Sequence, residues 1–269
     1  MTMQATPLIF LKLGGSLITD KSRPHTPRRE TLARLANEIA AACADSPSLR
    51  LLLGHGSGSF GHVPAHRHGT RQGVQTAAQW RGFAEVWREA NALNRLVMDA
   101  LASAGLAAIA FPPSATATTH AGEVTAWDVA PLRAALEAGL IPVVFGDVVF
   151  DTARGGTILS TEDIFVHLAR RFHPQRILLA GIEAGVWANY PVCTRCFAEI
   201  TPATFGEIAV ALSGSANTDV TGGMASKVQQ MLNLVQAQPG LEVLIFSAET
   251  PGALQEALGG ATKGTLLRS

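Results

Sequence analysis

The chain has 269 residues, of which 47% are hydrophobic, enough apolar material for one large core or two closely joined lobes. Lysine and arginine together number 21, as do aspartate and glutamate, so the formal net charge is zero. The chain as a whole therefore lacks the excess of basic residues that is typical of a nucleic-acid-binding protein. Apolar runs such as Leu140–Phe145 are far too short to span a bilayer, and the N-terminus lacks the features of a signal peptide. We therefore expect a cytoplasmic protein that binds neither nucleic acid nor membrane, with room for a local basic pocket.

Apolar, β-rich runs alternate with helical patterns along the chain. The predicted strands are Leu8–Leu13, Arg50–Leu53, Ala107–Phe111, Ile141–Phe145, Arg176–Ala180 and Glu242–Phe246. The predicted helices are Arg28–Ala44, Thr76–Ala104, Val129–Ala138, Thr161–Phe172 and Gly223–Gln236. The turn-rich segment Asp151–Gly156 predicts a hairpin insertion within Val148–Ser160. The alternation predicts an α/β fold, with an open, mostly parallel β-sheet sandwiched between helices.

The glycines are clustered at the ends of the predicted strands. They are Gly14, Gly15, Gly54, Gly56, Gly58, Gly61, Gly146, Gly181 and Gly185. Because open α/β sheets bind ligands at the carboxyl ends of their strands, this clustering predicts a phosphate-lined cleft. A soft boundary near residue 175 would divide one continuous domain into a substrate lobe, residues 1–175, and a nucleotide lobe, residues 176–269.

The three cysteines are too few for a disulfide framework. Cys193 and Cys196 form a lone C-x-x-C motif, for which zinc and redox roles are the alternatives to a plain surface loop. No second pair of zinc ligands follows at a suitable spacing, and the flanking Pro191 and Arg195 are typical of a loop. We therefore predict an irregular loop.

The first chemical motif is KLGGSLITDK, residues 12–21. Lys12 lies near the end of a buried strand, where an unpaired charge is costly. Gly14, Gly15 and Ser16 offer backbone N–H groups in a tight turn that can surround an anion, and Lys21 follows after a short loop. The alternative is a strand-end lysine whose charged head reaches water.

The second motif is GHGSGSFGH, residues 54–62, where glycines let the backbone approach a ligand closely. It contains G-x-G-x-x-G, but no acidic residue or strand follows as a dinucleotide site requires. A metal cluster of His62 with His55, His66 and His68 is a further alternative, although no carboxylate joins these histidines. A histidine at the end of a glycine-rich loop suits phosphate binding better. The chain contains no G-x-x-x-x-G-K-[ST] P-loop.

Two more motifs begin helices. In GTILSTEDIF, Ser160 or Thr161 can cap a helix, with Glu162 and Asp163 in its first turn, so that one acid remains to orient lysines. In TDVTGGMASK, residues 218–227, a glycine pair precedes a helix whose N-terminus can hold a phosphate, and Lys227 lies one turn further on.

These four motifs, in this order, resemble those of the amino-acid-kinase superfamily over nearly the whole chain. Three features are similar to the isopentenyl phosphate kinase family: a second lysine at Lys21, the SFGH sequence ending at His62, and GDVVFD at Gly146–Asp151. The resemblance implies that Lys12, Lys21 and Lys227 contact the transferring phosphoryl oxygens. It also implies that Gly56 and His62 contact the phosphate of the acceptor.

The chain departs from the family pattern at three places. Ser57 stands where relatives have glycine, and Ile182 stands where many relatives have an aspartate that contacts the nucleotide. STED replaces SGD, so that Glu162 aligns with the organising aspartate of the family while Asp163 is one residue away. Either acid is therefore a candidate for orienting the lysines.

The resemblance implies phosphoryl transfer from ATP to an isoprenoid monophosphate for isoprene biosynthesis by a mevalonate-type pathway. A phosphate oxygen would attack, so no general base is needed and catalysis reduces to positioning and charge neutralisation. Mg²⁺ would accompany ATP without a predicted protein ligand, and a homodimer is expected. The alternatives are a fosfomycin-kinase-like enzyme acting on a phosphonate or phosphate, and a non-catalytic protein that binds nucleotides or oxyanions.

The isoprenoid tail requires an apolar pocket. Helical spacing puts Phe83, Val86, Trp87 and Ala90 on one face of the helix Thr76–Ala104, for which ordinary core packing is the alternative. The predicted catalytic residues are Lys12, Lys21, His62, Glu162 and Lys227. The predicted ATP-binding residues are Lys12, Gly14, Gly15, Ser16, Gly58, Gly181, Gly185, Gly222, Gly223 and Lys227. The predicted acceptor-binding residues are Gly56, Ser57, His62, Phe83, Val86, Ala90 and Gly156.

Overall fold

The computed structural model describes residues 7–212 and 223–269, apart from the side chains at positions 207 and 209–212. The strands are β1 (Leu8–Leu13), β2 (Arg50–His55), β3 (Ala108–Ala110), β4 (Ala117–His120), β5 (Glu123–Trp127), β6 (Ile141–Phe145), β7 (Asp147–Asp151), β8 (Gly155–Leu159), β9 (Arg176–Gly181), β10 (Glu199–Ile200), β11 (Glu242–Ser247) and β12 (Thr265–Leu267). The helices are α1 (Gly15–Ile18), α2 (Arg29–Asp45), α3 (Gly58–His68), α4 (Ala77–Ser103), α5 (Pro113–Thr116), α6 (Ala130–Glu137), α7 (Thr161–Phe172), α8 (Pro202–Leu212), α9 (Gly223–Ala237) and α10 (Ala253–Leu258). None of these helices is both long and apolar enough to cross a membrane.

The main sheet has eight strands in the order β10-β12-β11-β9-β1-β2-β6-β3. Neighbouring strands are parallel except for β11 and β12, which are antiparallel. The predicted α/β fold is thus confirmed, and each of the six predicted strands is present with ends displaced by no more than two residues. Five neighbouring strands run in the same direction: β1, β2, β6, β9 and β11. Their carboxyl ends therefore lie along one edge of the sheet.

Side chains of the central strand β1 alternate between the two faces of the sheet, as a pleated strand requires. Leu8 and Phe10 belong to the core that also contains side chains of α6, α7, α8 and α9. Ile9 and Leu11 belong to the core on the other face, with side chains of α1, α2, α4 and α10. Lys12 has the same parity as Phe10, and its side chain therefore points to the face where α7 and α9 lie.

A second, four-stranded sheet follows the order β5-β4-β7-β8. Its antiparallel pair β7–β8 confirms the hairpin predicted within residues 148–160. A small core joins this sheet to α3 and α4 and consists of Ala65, Val74, Phe83, Val86 and Val148. The second sheet therefore closes one side of the cleft described below.

The segment that follows β2 differs from its prediction as a loop. Helix α3 begins at Gly58, so His62 lies in its second turn and not at the end of a loop. Three glycines and Pro64 give this segment a low intrinsic helix propensity, and tertiary packing against α4 overrides it. Helix α8, helix α10 and the hairpin β4–β5 were also not predicted, since they are short or lack a clear period.

The C-x-x-C motif lies in the irregular connection between β9 and β10, as predicted. Cys193 and Cys196 are free thiols, and Cys196 is joined to Trp187 by an isolated β-bridge. The motif is therefore part of a loop that folds back on itself.

Candidate active site

A cleft opens at the carboxyl edge of the main sheet, where the glycine clusters predicted a ligand site. Thirteen of the predicted site residues line it: Lys12, Gly14, Gly15, Ser16, Lys21, Gly56, Ser57, His62, Val86, Ala90, Glu162, Gly181 and Lys227. These residues are contributed by β1, by α1 and the residues on either side of it, by the β2–α3 segment, by α4, by the N-terminal turn of α7, by β9 and by α9.

A buried carboxylate joins two of the predicted lysines. Lys12 Nζ lies 2.5 Å from Glu162 Oε1, and Lys227 Nζ lies 3.3 Å from the same oxygen. Lys12 is only 8% exposed and Glu162 only 6%, so the three charges form a partly desolvated cluster on one face of the sheet. A shared carboxylate of this kind fixes two ammonium groups next to each other in the cleft wall.

The electrostatics of Glu162 keep it ionised. Burial raises the pKa of this carboxyl, but the charges of Lys12 and Lys227 and the hydrogen bond from Lys12 outweigh burial. The pKa of Glu162 therefore lies well below its usual range, and the cluster carries one negative and two positive charges at neutral pH.

Asp163 has a different task from Glu162. Its Oδ2 accepts hydrogen bonds from Ser160 N (2.9 Å) and Ser160 Oγ (2.7 Å), while Asp163 N donates to Ser160 Oγ (3.1 Å). This reciprocal arrangement is a capping box at the start of α7. Of the two candidate acids, Glu162 contacts the lysines and Asp163 caps the helix.

The two glycine-rich turns touch each other at the base of the cleft. A Cβ atom on Gly15 would lie 2.6 Å from Gly58 N, and one on Gly56 would lie 2.9 Å from Gly15 N. Side chains at these positions would separate the turns and fill the cleft. Gly58 itself has a positive φ of 48° and is not among the residues of the cleft wall, so its role in the structure is this close approach.

His62 and Lys21 enter the cleft from two different elements. His62 is half-buried on α3, whereas Lys21 is exposed just beyond α1. The neighbouring His55 does not join them, because its buried ring stacks on Phe145 and its Nε2 lies 3.1 Å from Asn94 Oδ1. Burial lowers the pKa of His55. Among the described residues no group of three or more His, Cys, Asp and Glu side chains is placed to hold a metal, so the histidine-cluster alternative has no support.

The opposite end of the cleft is apolar. Val86 and Ala90 of α4 line it together with Ala65 of α3 and Ile158 of β8. This end lies next to α3, the helix that carries His62. The cleft thus combines a cationic end with an apolar end, joined at α3.

Phe83 and Gly156, both predicted to bind the acceptor, lie outside the cleft wall. The Phe83 ring packs over Gly156, where a Cβ atom would lie 2.8 Å from Phe83 Cε2, and it contacts the rings of Trp80 and Phe150. Trp87 also leaves the predicted stripe, because 45% of its surface is exposed. The helical period placed these residues on one side of α4 but could not distinguish a cleft from the small core beside it.

Three further glycines were predicted to bind ATP: Gly185, Gly222 and Gly223. Gly185 packs against β12, where a Cβ atom would lie 2.6 Å from Thr265 Oγ1, and it is not part of the cleft wall. Gly223 begins α9 with a φ of 72° and leads to Lys227, which does line the cleft. Gly222 lies outside the described residues.

The cleft also contains residues that were not predicted. Asp147 lines it at the start of β7 and accepts hydrogen bonds from Val148 N (2.9 Å) and Ser114 N (3.2 Å). Burial raises the pKa of Asp147 to about 6. Its position in GDVVFD, directly after a buried strand and Gly146, was the available signal. Arg71 also lines the cleft, and nothing in its sequence context distinguishes it from other loop arginines.

The carboxylates in the cleft do not form a magnesium cage. Glu162 is engaged by two lysines, Asp147 by two backbone amides, and Glu183 accepts a hydrogen bond from Trp187 Nε1 (2.6 Å). Mg²⁺ usually binds proteins through one or two carboxylates together with substrate phosphates. The described residues therefore do not fit a dedicated metal site.

Comparison with known proteins agrees with this geometry. The model of the amino acid kinase family matches residues 7–247. The isopentenyl phosphate kinase of Methanothermobacter thermautotrophicus is 36% identical over 266 residues, covering 96% of this chain and 98% of its own length. That of Haloferax volcanii is also 36% identical, covering 97% and 98%. A crystal structure of an isopentenyl phosphate kinase superposes with a TM-score of 0.81 at 33% identity, covering 97% of this chain and 99% of its own. The chain therefore belongs to the amino acid kinase family.

Proposed function

We propose that the protein transfers the γ-phosphoryl group of ATP to isopentenyl phosphate and forms isopentenyl diphosphate. The observation that carries this proposal is the two-ended cleft. Lys12, Glu162 and Lys227 make one end cationic, whereas Val86 and Ala90 make the other apolar. An acceptor with a phosphate head and a short hydrocarbon tail matches that division. The curated relatives named isopentenyl phosphate kinase support the same acceptor.

The chemistry needs little from the protein beyond placement and charge. The attacking atom is a phosphate oxygen that is already anionic at neutral pH, so no general base is required. His62 binds the acceptor phosphate from α3, while Lys12 and Lys227 donate to the oxygens of the group in transfer, with Lys21 beside them. Glu162 orients both lysines, and the Gly14–Gly15 and Gly56–Ser57 turns surround the phosphates. Mg²⁺ would accompany ATP as part of that substrate and would add to the charge neutralisation.

We assign the two substrates to different parts of the chain. Residues 1–175 contribute α3, α4 and the second sheet, and we assign the acceptor to them. Residues 176–269 contribute Gly181, Ile182 and Lys227 to the cleft wall, and we assign ATP to them. Ile182 occupies the position of an aspartate in many relatives, so nucleotide contacts there would be made by backbone and by apolar packing.

Three wider properties are part of the proposal. We expect the enzyme to work in the cytoplasm, to supply isoprenoid biosynthesis through a mevalonate-type pathway, and to form a homodimer. Exposed aromatic side chains support the last point, since Trp87 and Phe150 both flank an apolar groove on the outer side of α4. Light scattering on the purified protein would measure its mass in solution.

ADP release across an acceptor panel tests the proposed activity. The panel contains isopentenyl phosphate, dimethylallyl phosphate, fosfomycin, acetylglutamate and uridylate, each with ATP and Mg²⁺. We expect the highest kcat/KM with isopentenyl phosphate. Preference for fosfomycin would assign the cleft to a phosphonate kinase, and an absence of ADP release with every acceptor would identify a nucleotide-binding protein without kinase activity.

A further inference from the structure

Arg71 is held in the cleft wall by a well-anchored loop. It lies in the connection between α3 and α4, and its carbonyl oxygen accepts a hydrogen bond from Thr157 Oγ1 of β8 at 2.9 Å. Three residues later, Val74 N donates to the carbonyl of Arg154 at 2.8 Å. The backbone of this loop is therefore fixed to the second sheet, and the Arg71 side chain extends from there.

The side chain of Arg71 reaches the cationic end of the cleft. It lines both the main cleft and a polar groove next to it, and Ser160, Glu162 and Lys227 also line both. The Arg71 side chain thus lies close to Glu162 and Lys227. Under the proposed function Lys227 donates to the group in transfer, so Arg71 lies near that group.

The ion pair that Arg71 makes within the protein is loose. Its Nη2 lies 3.5 Å from Asp163 Oδ2, an oxygen that already accepts two shorter hydrogen bonds from Ser160. The other oxygen of Asp163 accepts from Gln230 Nε2 at 2.8 Å. Arg71 Nη1 is buried and has no hydrogen-bond partner among the described residues. Buried guanidinium donors are normally satisfied, so Arg71 retains donor capacity for a phosphate oxygen once its side chain turns toward the cleft.

We propose that Arg71 is a further catalytic residue, whose guanidinium donates to an oxygen of the phosphoryl group in transfer. This inference rests on the proposed function. As the bond from phosphorus to the acceptor oxygen forms, the bond to the bridging oxygen of ADP breaks, and Arg71 exchanges no proton in the step. A planar guanidinium can donate two parallel hydrogen bonds to phosphate oxygens, which suits a group whose negative charge is spread over three oxygens.

Substitution of Arg71 with a matched control tests the role. Arg71→Ala should lower kcat by about 10- to 100-fold, the loss expected for one hydrogen bond to a charged group. KM for ATP should change less, because the contact is strongest during transfer. Arg71→Lys should recover only part of kcat, since an ammonium group cannot donate two parallel hydrogen bonds as a planar guanidinium does. Added guanidinium ion should restore part of the activity of Arg71→Ala.

The control is Arg67→Ala. Arg67 is an exposed arginine of α3 that pairs with Glu85 at 2.7 Å and does not line the cleft. This variant should retain wild-type kcat and show no response to guanidinium ion. If Arg71→Ala keeps its kcat, or loses activity together with its melting temperature and gains nothing from guanidinium ion, the catalytic role is wrong and Arg71 only supports the start of α7.

Calorimetric titration with inorganic pyrophosphate separates this inference from the proposed function. Arg71→Ala should bind pyrophosphate at least about tenfold more weakly than wild type or Arg67→Ala, whatever the acceptor of the enzyme. A wild type without isopentenyl phosphate turnover but with this difference would overturn the proposed function and retain the phosphate contact. Equal pyrophosphate affinities would overturn the contact itself.

Discussion

Glu162 is the residue on which the arrangement of the site depends most directly. It holds Lys12 and Lys227, whose ammonium groups would otherwise repel each other in a poorly hydrated position. Removing one member of a buried ion pair costs more than the pair contributes, because the remaining charge loses its partner without regaining water. Two remaining cations make this cost larger than usual.

Glu162→Gln should therefore destabilise the fold by about 3–5 kcal/mol and lower kcat at least about tenfold. Urea unfolding and steady-state kinetics at pH 7 measure the two effects. Glu85→Gln is the matched control, because Glu85 also contacts two basic side chains, Arg67 and His68, but is 29% exposed. That control should change the free energy of unfolding by about 0.5 kcal/mol or less. Equal stability of Glu162→Gln and wild type would contradict the prediction.

The pH dependence of stability follows from the direction of the Glu162 pKa shift. A folded-state pKa below the unfolded value means that the contribution of Glu162 is fully present above the unfolded pKa of about 4.3 and is lost as pH falls below it. The stability difference between wild type and Glu162→Gln should consequently be constant from pH 7 to about pH 5 and decrease at lower pH.

His62 is expected to act on the acceptor and not on ATP. His62→Ala should raise KM for isopentenyl phosphate or lower kcat/KM for it by about 10- to 100-fold, as expected for a lost hydrogen bond to a charged group. KM for ATP should change little. His66→Ala serves as the control, since His66 lies on the same helix but is exposed and outside the cleft. Unchanged turnover and KM for isopentenyl phosphate in His62→Ala would rule out the role.

Helix α4 separates two environments that its sequence cannot distinguish. Its buried stripe contains Phe83, Val86 and Ala90, yet only Val86 and Ala90 reach the cleft. Phe83, one turn earlier, lies in the small core beneath the second sheet, to which Val86 also contributes, but it does not reach the cleft. Substitutions at neighbouring positions of one stripe should therefore have different consequences.

Val86→Ala should raise kcat/KM for geranyl phosphate relative to isopentenyl phosphate about tenfold, the effect of about 1.4 kcal/mol, because each additional methylene buried is worth about 0.8 kcal/mol. Phe83→Ala should leave that ratio unchanged and instead cost about 3–5 kcal/mol of stability. The quantities to measure are the ratio between the two acceptors and the melting temperature of each variant. If both variants lose stability with an unchanged ratio, the tail pocket is not on this face of α4.

Helix α3 shows where local sequence signals become unreliable. Glycines that permit the two turns to touch also lower the helix propensity of this segment. Local propensity therefore indicates a loop where the structure has a helix. The position of His62 beside the glycine-rich turns could be inferred from its motif. Its placement on a helix depends on packing against α4, which no local pattern encodes.

At the scale of the whole molecule, the parallel sheet and the edge at which the cleft opens were predictable, because continuous apolar strands and glycine clusters depend on burial and close approach. The lysine positions were predictable from their motifs. Arg71 and Asp147 were not, since their importance arises from elements distant in sequence that meet in space. The choice between Glu162 and Asp163 likewise required the actual direction of each side chain at the start of α7.

The net charge of zero is compatible with a local cluster of basic side chains, because the charges are unevenly distributed. Lys12, Lys21, Arg71 and Lys227 all line one cleft, together with the three acids Asp147, Glu162 and Glu183. A neutral surface with a local positive potential favours small anions over extended polyanions, since only the former fit inside.

The cluster of Lys12, Glu162 and Lys227 also has a consequence for how the chain acquires activity during folding. Lys12 and Glu162 are 150 residues apart in sequence, and Lys227 lies further still toward the C-terminus. Bringing them together requires closure of long chain segments, which is slow compared with the formation of individual helices. A refolding chain will therefore regain its helical circular dichroism before it regains phosphoryl transfer, and enzyme activity will report the last docking event of the folding reaction.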